Sequence, residues 1–386
     1  MNIELVRDQF PALQNYGWFQ NGGVSITPRV VHNELVARME ELLARGPMHI
    51  IYPDEEHPRR DESRQVLADF FATSPARIGF VRGVSEAFQA VLCGIEWQAG
   101  DCIVITEDEE AALLLPALHL QQQKGVRVER MKLGLSSEEQ IVALNQLFDQ
   151  NNVRLLAISH VTTDVGFRFD ASALCQLARE HGVLSFVDMA HSAGLFPIHL
   201  DDFACDFAGV LSYKWMYGPY AAGFLYAREG VAETLTVPFA GGRGEKMLNF
   251  EALEYELAAG PRRFEWGPWC WPLIHGWATA AEYLKTQDLG AIWARTRQLV
   301  DRLREGLAEN QRVTLFTPAD ESASASLVAL AVDGWTGDNL AAELRTRFNL
   351  IVKALPHTRE GLRISLPFFL LEEEVEQLVK AINEVS

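Results

Sequence analysis

Two side chains in this sequence have the type and placement to do covalent chemistry together. Lys214 sits in the run Ser212-Tyr213-Lys214-Trp215 behind an apolar stretch, and Asp188 ends the apolar run Val183-Leu184-Ser185-Phe186-Val187. Lysine is rarely buried, and a desolvated ε-amine with a lowered pKa is the nucleophile that Schiff-base chemistry uses. An acid at the end of a buried strand is costly unless a partner meets it, and a pyridinium N–H is such a partner. The pair could therefore serve pyridoxal 5'-phosphate (PLP). The lysine would hold the aldehyde, and the aspartate would keep the ring nitrogen protonated so that the ring acts as an electron sink. The resulting chemistry is a carbanion beside an amino-acid nitrogen. His191, in Met189-Ala190-His191, is placed to stack on or hydrogen-bond a ring substituent. Taken singly, a structural Asp and a satisfied surface His would read the same way.

A phosphate needs its own cradle. Ser85 in Arg82-Gly83-Val84-Ser85-Glu86 precedes a helical pattern whose Ala87, Phe88, Val91, Leu92 and Ile95 form an apolar face. Ser85 reads as the N-cap, and a helix N-terminus after a tight glycine turn is a ready phosphate site. An ordinary capped helix has the same signature.

The elements that must position these residues follow from hydrophobic patterning. Cys102–Thr106, Val153–Ser159, Val183–Asp188, Phe207–Tyr213 and Gly223–Ala227 are predicted strands whose near-continuous apolar character fits a sheet covered on both faces. A helix is predicted over Ala171–His181, with Asp170 as N-cap, Gly182 past its end and Ala173, Leu174, Leu177 and Ala178 as its apolar face. Strand–helix alternation implies an α/β fold with a mostly parallel central sheet, its site at the C-terminal strand ends. The tail differs: strand Leu327–Val332, helix Asn339–Phe348, strands Leu350–Leu355 and Leu362–Leu366, and helix Glu372–Val385 predict a smaller α+β domain with an antiparallel sheet. Ala258-Ala259-Gly260-Pro261 marks a boundary between the two.

Bulk properties narrow the function. With 386 residues and 48% hydrophobic content the chain can build a sizeable core, and a net charge of −18 disfavours a nucleic-acid partner. Cys93, Cys102, Cys175, Cys205 and Cys270 are scattered and never paired as CxxC, which predicts reduced thiols and no zinc or other metal site. Met1–Phe10 carries Glu4, Arg7 and Asp8 and lacks an apolar signal region, and no apolar run approaches the roughly 18 residues of a membrane span. A cytoplasmic protein without a membrane partner is expected.

The stretch Val187-Asp188-Met189-Ala190-His191-Ser192-Ala193-Gly194, followed by Ser212-Tyr213-Lys214-Trp215-Met216-Tyr217-Gly218-Pro219, resembles the core signature of class V aminotransferases. This fold-type I PLP group includes cysteine desulfurases, cyst(e)ine C–S lyases, isopenicillin N epimerase-like proteins and kynureninases. The likeness runs from Asn21-Gly22-Gly23 through Arg82–Glu86, Gly94-Ile95-Glu96-Trp97, Gly100-Asp101 and Ser159-His160-Val161 to Arg363-Ile364-Ser365. It implies a large PLP-binding domain over 16–257 and a small α+β domain from 1–15 and 258–386. It further implies that Lys214 is the Schiff-base lysine and proton shuttle and that Asp188 pairs with the pyridine nitrogen. By the same resemblance His191 lies near the phenolic oxygen, and Val84, Ser85 and Ser212 hold the phosphate. Arg363 would grip the α-carboxylate of an amino-acid substrate, with Asn21 also at the substrate. A homodimer with the site at the subunit interface is implied too.

Three positions depart from the family pattern. Glu110, in Thr106-Glu107-Asp108-Glu109-Glu110-Ala111, stands where a His or aromatic residue commonly covers the cofactor ring; a solvated acidic helix start would also explain Glu109 and Glu110. Pro268 replaces a Thr that often reaches the partner subunit's phosphate, and Trp266, Trp269 and Trp271 around it suit either a pocket or a core. In His160-Val161-Thr162-Thr163-Asp164, Thr163 or Asp164 takes the place of the Asn bonded to the phenolic oxygen. Trp18, Phe19, Tyr52 and Arg243 are further pocket candidates, Arg243 as a second anion site.

The segment Phe348–Lys353 carries no cysteine, which argues against a persulfide-forming desulfurase. The expected activity is transamination of an α-amino acid first. PLP-dependent C–S lyase elimination or epimerisation comes next, since all share the first carbanion. A non-catalytic protein of the same fold is the remaining alternative.

Overall fold

Apolar runs too continuous to leave a face in water assemble into a seven-stranded sheet in this computed structural model, which describes residues 1–134, 136–355 and 359–386. Its strands are β1 (Ile78–Val81), β2 (Cys102–Thr106), β3 (Arg127–Met131), β4 (Val153–Ser159), β5 (Leu184–Asp188), β6 (Phe207–Leu211) and β7 (Gly223–Ala227). They lie in the order β1-β7-β6-β5-β4-β2-β3. Strands β2 to β6 pair in parallel, whereas β7 is antiparallel to both β6 and β1. The parallel run puts the C-terminal ends of β2, β4, β5 and β6 on one edge, with Ser159 in register with Asp188.

Alternation sorts the strand side chains to two faces. Ile103, Ile105, Leu155, Ala157 and Phe186 pack on one side with Val84, Phe88 and Val91 of the helix Val84–Gly94 and Leu113 and Ala117 of Ala111–Lys124. Cys102, Val104, Leu156, Ile158 and Val187 pack on the other with Leu174 and Ala178 of Ala171–Glu180, Leu67 of Pro53–Phe70 and Trp277 of Trp271–Gln287. Fold type I, expected from the sequence, is the architecture observed.

An exposed hairpin of β8 (Glu245–Asn249) and β9 (Glu254–Leu257) follows the large sheet. The tail then forms a four-stranded antiparallel sheet of β10 (Val313–Leu315), β11 (Leu327–Val332), β12 (Lys353–Ala354) and β13 (Leu362–Ser365), ordered β10-β11-β13-β12. Helices Leu289–Leu307, Gly337–Phe348 and Glu372–Val385 accompany it.

Several local expectations are corrected. β1 and β3 had no predicted strand. β3 lies at the sheet edge, where Arg127, Glu129 and Arg130 interrupt the apolar run, and β1 is only four residues long. The expected single strand over 350–355 is split. Leu350–Ile351 pairs in parallel with Gly17–Trp18, and Lys353–Ala354 pairs with Leu362 and Arg363 of β13. The helix predicted to be capped by Ser85 is capped by Gly83 and starts at Val84, so Ser85 lies within its first turn and is exposed. Its side chain therefore makes no cap.

Candidate active site

Two of the chemical residues sit at or just past the end of a central strand, and a third is carried by the small sheet. Asp188 is the last residue of β5, and its carboxylate accepts the Ala190 N–H at 2.7 Å, which fixes its direction. Lys214 follows β6 after the turn at Ser212. Gly194 (φ +87°) leaves room for this turn, because a Cβ there would lie 2.3 Å from the Trp215 carbonyl oxygen. Arg363 projects from β13. Lys214, Asp188, Arg363 and Glu110 line one cavity of about 890 Å³ together with the start of the helix Val84–Gly94.

Burial dominates the electrostatics. Lys214 is pushed down to about 8 by desolvation, against the attraction of Asp188 and Glu110. Desolvation also raises Asp188 to about 6, although Lys214 and the Ala190 N–H pull the other way. Lys214 Nζ lies 3.3 Å from His191 Nε2. His191 is held well below the usual imidazole range, first by desolvation and then by Lys214 and Arg363, so the ring stays neutral and can accept a hydrogen bond from the lysine. Its Nδ1 has no hydrogen-bond partner among the described residues.

Arg363 is buried, and its Nη1 donates to the Thr163 hydroxyl at 2.8 Å and the Thr163 carbonyl at 3.1 Å. Its Nε is buried without a partner among the described residues. Desolvation lowers the guanidinium pKa, and Glu110 and Asp164 counter it. The Thr163 hydroxyl donates onward to Glu110 Oε2 at 2.8 Å. Glu109 and Glu110 are thus no solvated helix start. Glu109 is buried, bonded to Thr106 and Ser159, and raised to about 7 by burial, while Glu110 caps Ala111–Lys124 on the cavity wall.

The sequence-predicted residues divide accordingly. Val84 and Ser85 line the cavity with Lys214, Asp188 and Arg363, but Ser212, Thr163, Asn21 and His191 do not. Ser212 is fully buried with its hydroxyl donating to the Pro219 carbonyl. Asn21 donates to the Lys214 carbonyl at 3.4 Å and bonds Tyr217, so it braces the lysine segment from behind. Thr163 is engaged by Arg363 and Glu110, and Asp164 lies fully buried behind it. Of the other pocket candidates only Trp266 reaches the wall. Phe19 is core, Arg243 is exposed on its loop, and Trp271 packs under the Arg60 guanidinium. Tyr213, Phe239, Phe264 and Lys353 also line the cavity, and nothing in their own sequence pattern marks them.

The donor set fits PLP. A buried carboxylate raised by desolvation lacks the cationic N–H that a pyridinium would supply. A buried lysine faces the same space, and a helix N-terminus opens onto it behind Gly83. Gly223 of β7 allows this loop its close approach, because a Cβ there would stand 2.9 Å from Gly83 Cα. No cluster of metal-ligating side chains occurs among the described residues. No helix among them is long and apolar enough to cross a membrane.

Comparison with known proteins agrees with this geometry. The family model described as aminotransferase class-V matches residues 20–378. A probable cysteine desulfurase of Pyrococcus abyssi is 28% identical over 343 residues, spanning 85% of this chain and 82% of that protein. Isopenicillin N epimerase of Streptomyces clavuligerus is 28% identical over 347 residues, spanning 84% of each. The apo structure of cysteine desulfurase from Thermococcus onnurineus NA1 shares the fold with a TM-score of 0.87 at 26% identity, covering 99% of this chain and 97% of that one. With the match running over nearly its whole length, the chain belongs to the aminotransferase class-V family, whose fold is PLP-dependent.

Proposed function

We propose that this protein is a PLP enzyme that removes the Cα proton of a free α-amino acid and then expels a β-substituent, as a C–S lyase does. The observation that carries the first step is the convergence of Lys214, Asp188 and Arg363 on one cavity. When bound, PLP supplies the electron sink for a carbanion at Cα. Asp188 would hold the ring nitrogen, the amides at the start of Val84–Gly94 the phosphate, and Lys214 the aldehyde carbon. Arg363, buried and braced by Thr163, binds the α-carboxylate and fixes which Cα bond faces the proton acceptor. Lys214 Nζ takes the Cα proton, and desolvation keeps enough of the neutral amine available to do so.

The similar proteins are named for sulfur removal or epimerisation. None of the five cysteines lines the cavity, and Cys102, Cys175 and Cys205 are buried with thiols pushed up by desolvation. That favours elimination from the substrate over persulfide transfer to the protein. Epimerisation is the second reading, favoured by the epimerase relative. Transamination, first from sequence alone, shares the same opening proton transfer. A homodimer and a cytoplasmic location belong to the same reading.

Mass spectrometry of products from an amino-acid panel, with and without a keto-acid acceptor, separates these fates. Keto acid with ammonia from a cysteine-type substrate is expected, without need of the acceptor. Acceptor-dependent formation of a new amino acid would establish transamination instead, and inversion at Cα with solvent deuterium incorporated would establish epimerisation.

A further inference from the structure

Three separate segments meet behind the cavity wall in a single line of hydrogen bonds. Glu110 Oε2 accepts the Thr163 hydroxyl proton at 2.8 Å, and the same hydroxyl oxygen accepts from Arg363 Nη1 at 2.8 Å. The Thr163 carbonyl takes a further bond from that Nη1 at 3.1 Å. A threonine hydroxyl has one proton and two lone pairs. With the proton committed to Glu110, a lone pair is left facing Arg363, so the carboxylate decides which way the hydroxyl points. Held at Nη1, the guanidinium has an Nε without a hydrogen-bond partner among the described residues.

We propose that Glu110 is a positioning residue that acts through Thr163 to hold Arg363 correctly turned for the substrate α-carboxylate. The proposal rests on the reading of Arg363 given above. It gives Glu110 a purpose that stacking on a cofactor ring, which a carboxylate cannot do, does not. It also takes Thr163 out of the cofactor's contacts and places it in the carboxylate grip.

The test uses the holoenzyme and equilibrium binding in place of turnover. α-Aminoisobutyrate has no Cα proton to lose, and isopropylamine is the same molecule without its carboxylate. Titration of the cofactor absorbance with each gives a carboxylate preference, the ratio of the two dissociation constants. Wild type should prefer α-aminoisobutyrate, and Arg363→Ala should abolish that preference. Glu110→Ala and Thr163→Val should each reduce it by about tenfold or more while isopropylamine binding stays unchanged. Glu110→Gln still offers the hydroxyl an oxygen and should stay within about threefold of wild type. The Glu110→Ala/Thr163→Val double variant should be no worse than the poorer single one, as expected of one chain of contacts. An undiminished preference in Glu110→Ala, or equal weakening of both ligands, would overturn the proposal. If Arg363→Ala keeps the preference, the carboxylate role of Arg363 falls, and Glu110's with it. If Arg363→Ala loses it and Glu110→Ala does not, only the role of Glu110 falls.

Discussion

Burial sets the protonation of Lys214 and Asp188, on which the proposed chemistry turns. Lys214 loses its hydration shell and moves down to about 8, even with Asp188 and Glu110 nearby. Only the neutral amine attacks an aldehyde, so PLP capture by the apo protein should accelerate as pH rises, with a midpoint near 8. Stopped-flow absorbance checks this, and a midpoint at the ordinary lysine value would mean that the amine is hydrated. Asp188→Asn should leave cofactor affinity within about tenfold of wild type but lower kcat by roughly 100-fold or more, because an amide does not hold a pyridinium proton. Near-normal kcat would remove Asp188 from the mechanism. Both residues were legible in the sequence because a charged group ending an apolar run is conspicuous. The bonds joining Glu110, Thr163 and Arg363 were not. They link segments far apart in the chain, and hydroxyl direction leaves no trace in spacing.

Strand pairing explains why the elements present these side chains together. The apolar central strands were legible, with β2, β4 and β7 matching their predicted bounds, because a doubly covered strand needs an unbroken apolar run. Edge strand β3 and the split at Val352 escaped because partner choice is set by tertiary packing. A close fit lies where β7 passes the loop at Gly83. In Gly223→Ala the new methyl would meet the Val210 carbonyl oxygen at 2.6 Å and Gly83 Cα at 2.9 Å. A loss of about 1–3 kcal/mol on denaturant unfolding is expected, with weaker PLP affinity in absorbance titration. Unchanged affinity would show that the loop tolerates displacement.

Across the whole molecule, the carboxyl groups behind the site make stability depend on pH in an unusual direction. Glu109 is raised by burial to about 7 and Asp188 to about 6, so each binds its proton more tightly folded than unfolded. Their contribution is present at acid pH and is lost as pH rises from the unfolded carboxylate range through those values. His160, pushed down to about 3 by desolvation, acts oppositely and costs stability at acid pH. The wild-type curve mixes the two, so the comparison with Glu109→Gln isolates the acid. Glutamine has no proton to lose, and the variant's apo melting temperature should gain on wild type between about pH 5 and about pH 7. A constant offset across that range would mean that Glu109 titrates normally.

The N-terminal arm is stitched to the strand that carries Arg363. The Phe19 N–H bonds the Ile351 carbonyl, the Ser365 N–H bonds the Phe19 carbonyl, and the Gly22 N–H bonds the Ser365 hydroxyl. Residues 17–22 thus run between the Leu350–Ile351 segment and the strand that carries Arg363. A protease nick in this arm would then be felt on both sides of the cavity, because Asn21 also bonds the Lys214 carbonyl. Loosening the arm would be expected to disturb the segment of Lys214 and the strand of Arg363 together, and so to weaken PLP capture and carboxylate binding alike.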